Sequence, residues 1–361
     1  AQRDIMSAKS VRYYIKDMEE VAVDLRNVIE VQKDAQSYAN INHLLKLWSL
    51  EATATIFLAK RLHCLSDELK QSAMGNEMAD ALDTVMEEGI RLMFMPPMWR
   101  YVPNLFPSYR RFDKAYQAMH NMTMIHIKSA IQQLDLEDPA EQSVLAKLAR
   151  RTEKDLALCS ILAFDTFGTA FHTTSITATF LFYHLAANKG KQQILYNEIC
   201  DVVGADDESI IETHLNHMPY LIACLHESQR MLPAALGTGR TTQVDMVLSG
   251  YQIPKGSFVF RIGQVTSNSS DYFRSPDKFL PERWLRDCPS KETVHPFSSL
   301  PFSHGPRSCI GKRFAQVELY CLIIKMLQKY ELEYNGEPVD VETEFISKPN
   351  RDVTIKFLNR Q

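Results

Sequence analysis

Phe302-Ser303-His304-Gly305-Pro306-Arg307-Ser308-Cys309-Ile310-Gly311 is the stretch on which the reading of this chain turns. Five of its residues fit the pattern F-x-x-G-x-R-x-C-x-G, whose chance occurrence in a chain this long is on the order of one in ten thousand. Cys309 stands just before a helical run that starts near Gly311, where free backbone N–H groups and the helix dipole favour a thiolate. Gly305 permits the tight turn that precedes it. A lone cysteine in a glycine-bearing loop is ordinarily a buried free thiol; five matched positions reverse that reading.

The loop closes an irregular segment, running to about 308, that is rich in Pro, Ser and Asp and too long for an ordinary connection. Inside it lies Phe279-Leu280-Pro281-Glu282-Arg283-Trp284, and upstream lies Glu227-Ser228-Gln229-Arg230. The i,i+3 spacing of Glu227 and Arg230 puts both on one helix face, which taken alone describes a common solvated pair. Between them, 241 to 264 reads as short strands around the turn Ile253-Pro254-Lys255-Gly256. Further out, apolar spacing predicts helices over about 8 to 34, 40 to 65, 76 to 92, 108 to 133, 145 to 187, 189 to 203, 214 to 231 and 310 to 329, with a strand pair at about 330 to 358.

No Asp, Glu, Lys or Arg occurs from Thr166 to Asn188. The length could cross a bilayer, but seven Ser and Thr residues with His172 and His184 make the stretch too polar for lipid. It reads as a helix buried in protein, continuing back through Arg150, Glu153 and Lys154.

Composition agrees with a mainly α chain: 361 residues, 45% hydrophobic, 23% charged and only 13 glycines. A formal charge of -4 without a basic block argues against nucleic acid as a partner. The seven cysteines are scattered, with no C-x-x-C pair, which suits a reducing compartment.

The Cys309 loop resembles the haem-binding loop of cytochromes P450, and the resemblance spans essentially the whole chain. It implies a mainly α cytochrome P450 fold in a single domain over 1–361, with haem b as cofactor and Cys309 as axial ligand to its iron. A thiolate there pushes electron density toward dioxygen and favours O–O cleavage. Arg307 is spaced to pair with a haem propionate. Phe302 and Gly305 belong to the same loop, and Gly311 lets the helix approach the porphyrin without a Cβ clash. Arg240 matches a second propionate-binding arginine, with a surface charge at a strand start as the plainer reading. Glu227, Arg230 and Arg283 match the family's structural triad.

Within the family the likeness is to the mitochondrial class. It rests on Trp48-x-x-Glu51 with Arg61-Leu62 and Leu65, on Trp99-Arg100-Tyr101-Val102-Pro103 leading to Asp113, and on Phe345-Ile346-Ser347-Lys348-Pro349. By comparison with the family, roughly a hundred or more amino-terminal residues are expected to be missing, including strands of the small sheet and further propionate contacts. An open sheet edge is then expected to promote aggregation. The central helix also departs from the usual A/G-G-x-D/E-T-T/S. Its register gives Thr169-Ala170-Phe171-His172-Thr173-Thr174, so His172 stands in the place of the acid. Asp165 lies about 10 Å too early along the helix to replace it.

The resemblance implies a monooxygenase that inserts one oxygen atom from O2 into a lipophilic, steroid-like substrate. Thr173, beside Thr174, would hydrogen-bond dioxygen at the iron, and His172 would relay protons. Phe164, Phe167, Phe171, Ala234 and Phe345 would help wall the substrate chamber. The electron donor would be an adrenodoxin-like ferredoxin on a basic surface including Lys312 and Arg313, although Ile222 and His226 stand where steroidogenic relatives carry lysines. Localisation would be peripheral on the mitochondrial inner membrane, with the endoplasmic reticulum as alternative. The other readings are a haem-thiolate isomerase or dehydratase acting on a lipid hydroperoxide, and an inactive haem-binding fragment.

Overall fold

The structure, a computed structural model, describes residues 8–65, 69–133, 138, 142–152, 155–205, 208–286, 294–343 and 346–360. Along the chain run α1 (Ala8–Tyr13), α2 (Ile15–Gln32), β1 (Tyr38–Asn40), α3 (Ile41–Phe57), α4 (Leu69–Phe94), α5 (Pro107–Gln133), α6 (Val144–Arg151), α7 (Leu156–Ala187), α8 (Lys189–Val202), α9 (Glu212–Asn216) and α10 (Pro219–Met231). Then come β2 (Gly237–Thr241), β3 (Met246–Leu248), β4 (Tyr251–Ile253), β5 (Phe258–Ile262), α11 (Gly263–Ser267), α12 (Lys312–Lys329), β6 (Tyr330–Glu333), β7 (Val341–Thr343), β8 (Ser347–Pro349) and β9 (Thr354–Asn359). The architecture is mainly helical, as expected.

The central helix α7 is wrapped by α3, α5, α6, α10 and α12. It differs from the expected single helix over 145 to 187 in one respect. Asp155 accepts hydrogen bonds from the backbone N–H groups of Ala157 and Leu158 and starts a new helix, while Ser143 caps the separate α6. A capping carboxylate satisfies orphan N–H groups that a continuous helix would not present. The hydroxyl-rich core of α7 is tolerated because its alcohols bond within the helix. Thr177 donates to the Thr173 carbonyl at 2.6 Å and Thr179 to the Ser175 carbonyl at 3.0 Å. Among the described residues, no helix is long and apolar enough to cross a membrane.

The helices expected over 8 to 34 and 214 to 231 are each divided as well. Tyr14 separates α1 from α2, and Pro219 opens α10 at its first turn, where its missing N–H costs nothing. The sheets are small and antiparallel: β1-β9-β6, then the pairs β2-β5, β3-β4 and β7-β8. Among the described residues between α11 and α12, the chain is irregular apart from two short 3-10 turns, Pro281–Trp284 and Gly305–Arg307.

Candidate functional site

The irregular segment is held by a buried charge cluster. Glu227, fully buried on α10, takes Arg230 Nη2 at 2.9 Å and Arg283 Nε at 3.0 Å on Oε1. Trp284 Nε1 donates to its Oε2 at 2.8 Å and the Leu280 N–H to Oε1 at 3.1 Å. Arg230 reaches on to the carbonyls of Ser267 and Pro276, and Arg283 to that of Arg274. One carboxylate thus ties two guanidinium groups and, through them, the first part of the segment, from Ser267 to Trp284. Hydrogen-bonded pairing is what makes such burial of charge tolerable.

The same loop delivers Cys309. Gly305 has φ +80°, a left-handed conformation that favours glycine, and the Cys309 N–H donates to the Phe302 carbonyl at 2.9 Å. The backbone N–H groups of Gly311 and Lys312 are directed at the sulfur, as a helix start should do. Burial nevertheless outweighs them and pushes the Cys309 thiol up. The two N–H groups lower the thiol pKa, as expected of a helix start, against that desolvation. Coordination to a cation would supply what the N–H groups do not, since a metal-bound thiol is deprotonated outright.

Cys309 opens onto a cavity of about 350 Å³ that is walled by this loop, the start of α12, the segment Pro233–Thr238 and one face of α7. The residues present fit a haem. Cys309 alone among the described cysteines lines the cavity, Arg307 stands beside it, and a Cβ on Gly311 would meet nothing within 4 Å. That leaves open space on the wall where a flat macrocycle would lie. From α7 the lining is Thr166, Thr169, Ala170, Thr173, Thr174 and Thr177, a stripe of helical period.

The phase of that stripe corrects two expectations. Phe164, Phe167 and Phe171 are buried but lie round the helix from the cavity, Phe164 against Tyr116 and His120. They are core residues because successive positions turn by 100° and the threonines take the cavity side. His172 likewise opens away from Cys309, into a second cavity of about 350 Å³ bounded by α3, α4 and α7. There its Nε2 lies 3.4 Å from Asp83 Oδ1, and burial pulls its pKa down against the pull of that carboxylate.

Ala234 and Phe302 line the Cys309 cavity, and Phe345 lies outside the described residues. Arg240 shares a strand face with the cavity-lining Thr238, but it is exposed and its Nη1 donates to the Gly239 carbonyl at 2.6 Å. Arg261, opposite Thr238 on β5, does line the cavity and was not singled out from the sequence. Nor were Glu318 and Gln229, both buried cavity residues with an oxygen, Oε2 and Oε1, that has no hydrogen-bond partner. Burial alone pushes the Glu318 carboxyl up to about 8. The one signal for it in the sequence is an acid set in the apolar run of α12.

The fold, the loop and the cavity define a haem-thiolate protein. The family model named Cytochrome P450 matches residues 3–357, and the chain belongs to that family, whose cofactor is haem held through a cysteine thiolate. It is 34% identical over 351 residues to "Probable cytochrome P450 49a1" of Drosophila melanogaster, covering 93% of this chain and 59% of that one. It is 31% identical to "Probable cytochrome P450 12a5, mitochondrial" of the same organism, covering 98% and 68%. It is also 29% identical to "Cytochrome P450 27C1" of Aquarana catesbeiana, covering 100% and 68%. The chain thus spans about three fifths to two thirds of the length of these relatives. The fold matches the structure described as "Crystal structure of cytochrome P450DA heme domain" with a TM-score of 0.83 at 20% identity, over 99% of this chain and 75% of that one.

Proposed function

We propose that the chain is a monooxygenase that inserts one oxygen atom from dioxygen into a lipophilic, steroid-like substrate. The observation that carries this is the meeting of Cys309 and Thr173 in one cavity whose walls are largely apolar. Haem bound there supplies the activation of dioxygen. Cys309 would ligate it, Arg307 and Arg261 would offer guanidinium groups to its carboxylates, and Gly311 would leave room beside it. Arg240, exposed two residues along β2 from the cavity-lining Thr238, is a further carboxylate partner.

Thr173 Oγ1 makes only long bonds to the carbonyls of Thr169 and Ala170, at 3.4 and 3.3 Å, so its hydroxyl is available to donate into the cavity. Thr174 is buried beside it. His172, on the far side of the helix, holds or releases a proton at Nε2 beside Asp83. The apolar lining from Phe57, Ala170, Ala234 and Leu300 excludes water and receives a hydrophobic substrate.

The relatives named as mitochondrial support a mitochondrial location. Met93, Phe94, Met98, Tyr101 and Leu105 are exposed in and around the α4–α5 connection, next to Arg100. Such a patch suits peripheral contact with the inner membrane. Lys312 and Arg313, at the start of the helix behind Cys309, suit docking of a small acidic adrenodoxin-like ferredoxin.

Reconstitution with ferredoxin and its reductase tests the reading. Reductant-driven hydroxylation of a sterol-like substrate is expected. Turnover only with a diflavin reductase would overturn the donor assignment. A second reading, a haem-thiolate isomerase acting on a lipid hydroperoxide, is favoured by the absence of an acid from the cavity stripe of α7. Consumption of hydroperoxide without any use of reductant would establish it instead.

A further inference from the structure

The threonines that α7 turns toward the Cys309 cavity are not chemically equivalent. Thr166 Oγ1 donates to the Leu162 carbonyl at 2.7 Å, and Thr177 Oγ1 to the Thr173 carbonyl at 2.6 Å. Thr169 Oγ1 lies 2.9 Å from the Asp165 carbonyl and 3.1 Å from that of Thr166. A carbonyl oxygen only accepts, so the direction of each bond is fixed, and the single proton of each hydroxyl is engaged by the helix itself. What these oxygens still offer the cavity is lone pairs. Thr173 differs: its carbonyl contacts are long, 3.4 and 3.3 Å, and its proton is available to a ligand.

Position along the helix turns this difference into a pattern. Thr166, Thr169 and Thr173 all line the cavity, Thr169 is exposed and the other two are half-buried, so the stripe is reached from within the cavity. Thr169 precedes Thr173 by about 6 Å along the axis, and Thr166 precedes it by about 10 Å. The wall at Thr173 therefore presents a donor, and the wall one to two turns away presents two acceptors. Ala170 on the same stripe and Ala234, Ala235 and Leu236 elsewhere in the lining are apolar and suit a hydrocarbon frame.

We propose that Thr169 and Thr166 are specificity residues that select a lipophilic substrate already carrying a hydroxyl group, about 6–10 Å from the carbon held beside Thr173. This rests on the monooxygenase reading above and narrows its substrate class. The substrate O–H donates to Thr169 Oγ1, or to Thr166 Oγ1 in a longer molecule. A ketone at the same place sets a lone pair against a lone pair. To receive it, a threonine must turn its proton away from the helix and lose the bond it makes there, so the alcohol is preferred.

Equilibrium dialysis of tritiated 5α-androstan-3β-ol and 5α-androstan-3-one against haem-loaded protein tests this. The two probes differ only in alcohol against ketone, and the measurement needs no turnover. The alcohol is expected to bind about fivefold or more tightly, the scale of one neutral hydrogen bond. Replacing both residues, Thr166→Val with Thr169→Val, keeps the side-chain shape and removes both acceptors. It should abolish the preference by weakening the alcohol, with the ketone held within about twofold of the parent. Thr166→Ser with Thr169→Ser keeps both oxygens and should keep the preference. Equal affinities in the parent, a preference that survives in the valine pair, or one lost in the serine pair would overturn the proposal. Thr169→Val alone, expected to shrink the preference by about half or more, keeps the test intact if the valine pair unfolds. Reductant-driven product is scored separately: a preference without product would sink the monooxygenase reading and leave the selectivity standing.

Discussion

His172 and Thr173 are consecutive on α7, yet they open onto different cavities: Thr173 onto the one that holds Cys309, His172 onto the one where Asp83 lies 3.4 Å from its Nε2. A residue step of 100° separates them, and the helix wall stands between. Proton uptake at His172 and delivery at Thr173, where they are proposed, fall on two sides of one element.

Replacing Thr173 by Ala removes the hydroxyl from the delivery side. Reductant should still be consumed, but product formed per reductant should fall roughly tenfold or more, with the difference recovered as hydrogen peroxide. His172→Asp puts a carboxylate at the uptake side. Because burial pulls the His172 pKa below its ordinary value, the parent's activity should change on the acid side of about 6.5. The aspartate variant should lose that change. Identical rate, coupling and pH profile in His172→Asp, His172→Ala and the parent would make His172 a packing residue only.

Cys309→Ser should abolish the red-shifted carbon monoxide band of the reduced haem protein. Among the described residues no other cysteine lines the cavity, so no replacement thiolate is at hand. An unchanged band in the mutant would remove Cys309 from the centre.

Glu227→Gln removes the carboxylate charge that the buried Arg230 and Arg283 share. A destabilisation of about 3–5 kcal/mol is expected, read from urea unfolding, with early loss of haem. Arg283→Lys should cost less, because a charge remains although the second arm toward Arg274 is gone. A stability within error of the parent in Glu227→Gln would mean that the cluster does not hold the loop.

His184 supplies a pH dependence of stability. It is fully buried, hydrogen-bonded through Nδ1 to Ser228 Oγ at 3.0 Å and stacked on Phe279, and burial drives its pKa down to about 3. Between that value and its unfolded value of about 6.5, the unfolded chain binds a proton that the folded chain refuses. Stability from this group is intact above about 6.5 and falls as pH drops, by about 1.4 kcal/mol per pH unit until about 3. His184→Phe should remove that slope in acid denaturation curves. An unaltered slope would show that His184 titrates alike in both states.

Lys312 tests the donor surface. It is exposed at the first position of α12, with its ammonium 5.5 Å from the Phe302 ring centroid. Lys312→Glu should weaken ferredoxin-supported turnover about fivefold or more at low salt, and the difference from the parent should shrink as salt rises. Turnover driven by hydroperoxide should be unaffected. A salt-independent defect would point to damage at the cavity instead.

Much of this was legible in the residues. The Cys309 loop could be read because its pattern is local: the turn, the ligand and the helix start lie within ten consecutive residues, and their spacing needs no tertiary information. The Glu227, Arg230 and Arg283 cluster could be read only through the family resemblance, since the spacing of Glu227 and Arg230 alone describes a common solvated pair. The division of the helix over 145 to 187 was less legible. Asp155 is a capping residue by type, but the apolar rhythm on either side conceals the break.

What the sequence determined by itself was the class of protein and its chemistry: a mainly α chain, a cysteine poised to ligate haem, and an uncharged, hydroxyl-rich helix at the centre. What only the tertiary structure decided was the phase of that helix. Period alone sorts α7 into faces but cannot say which face meets Cys309, because this depends on how α3 and α10 pack against it. Packing therefore placed Thr173 on the cavity and sent His172, Phe164, Phe167 and Phe171 elsewhere. Burial, likewise a property of the assembled core, made Glu318 a carboxyl with a raised pKa. The same assembly brought Ser347 and His172, far apart in sequence, to the lining of one cavity, a meeting that no local pattern encodes.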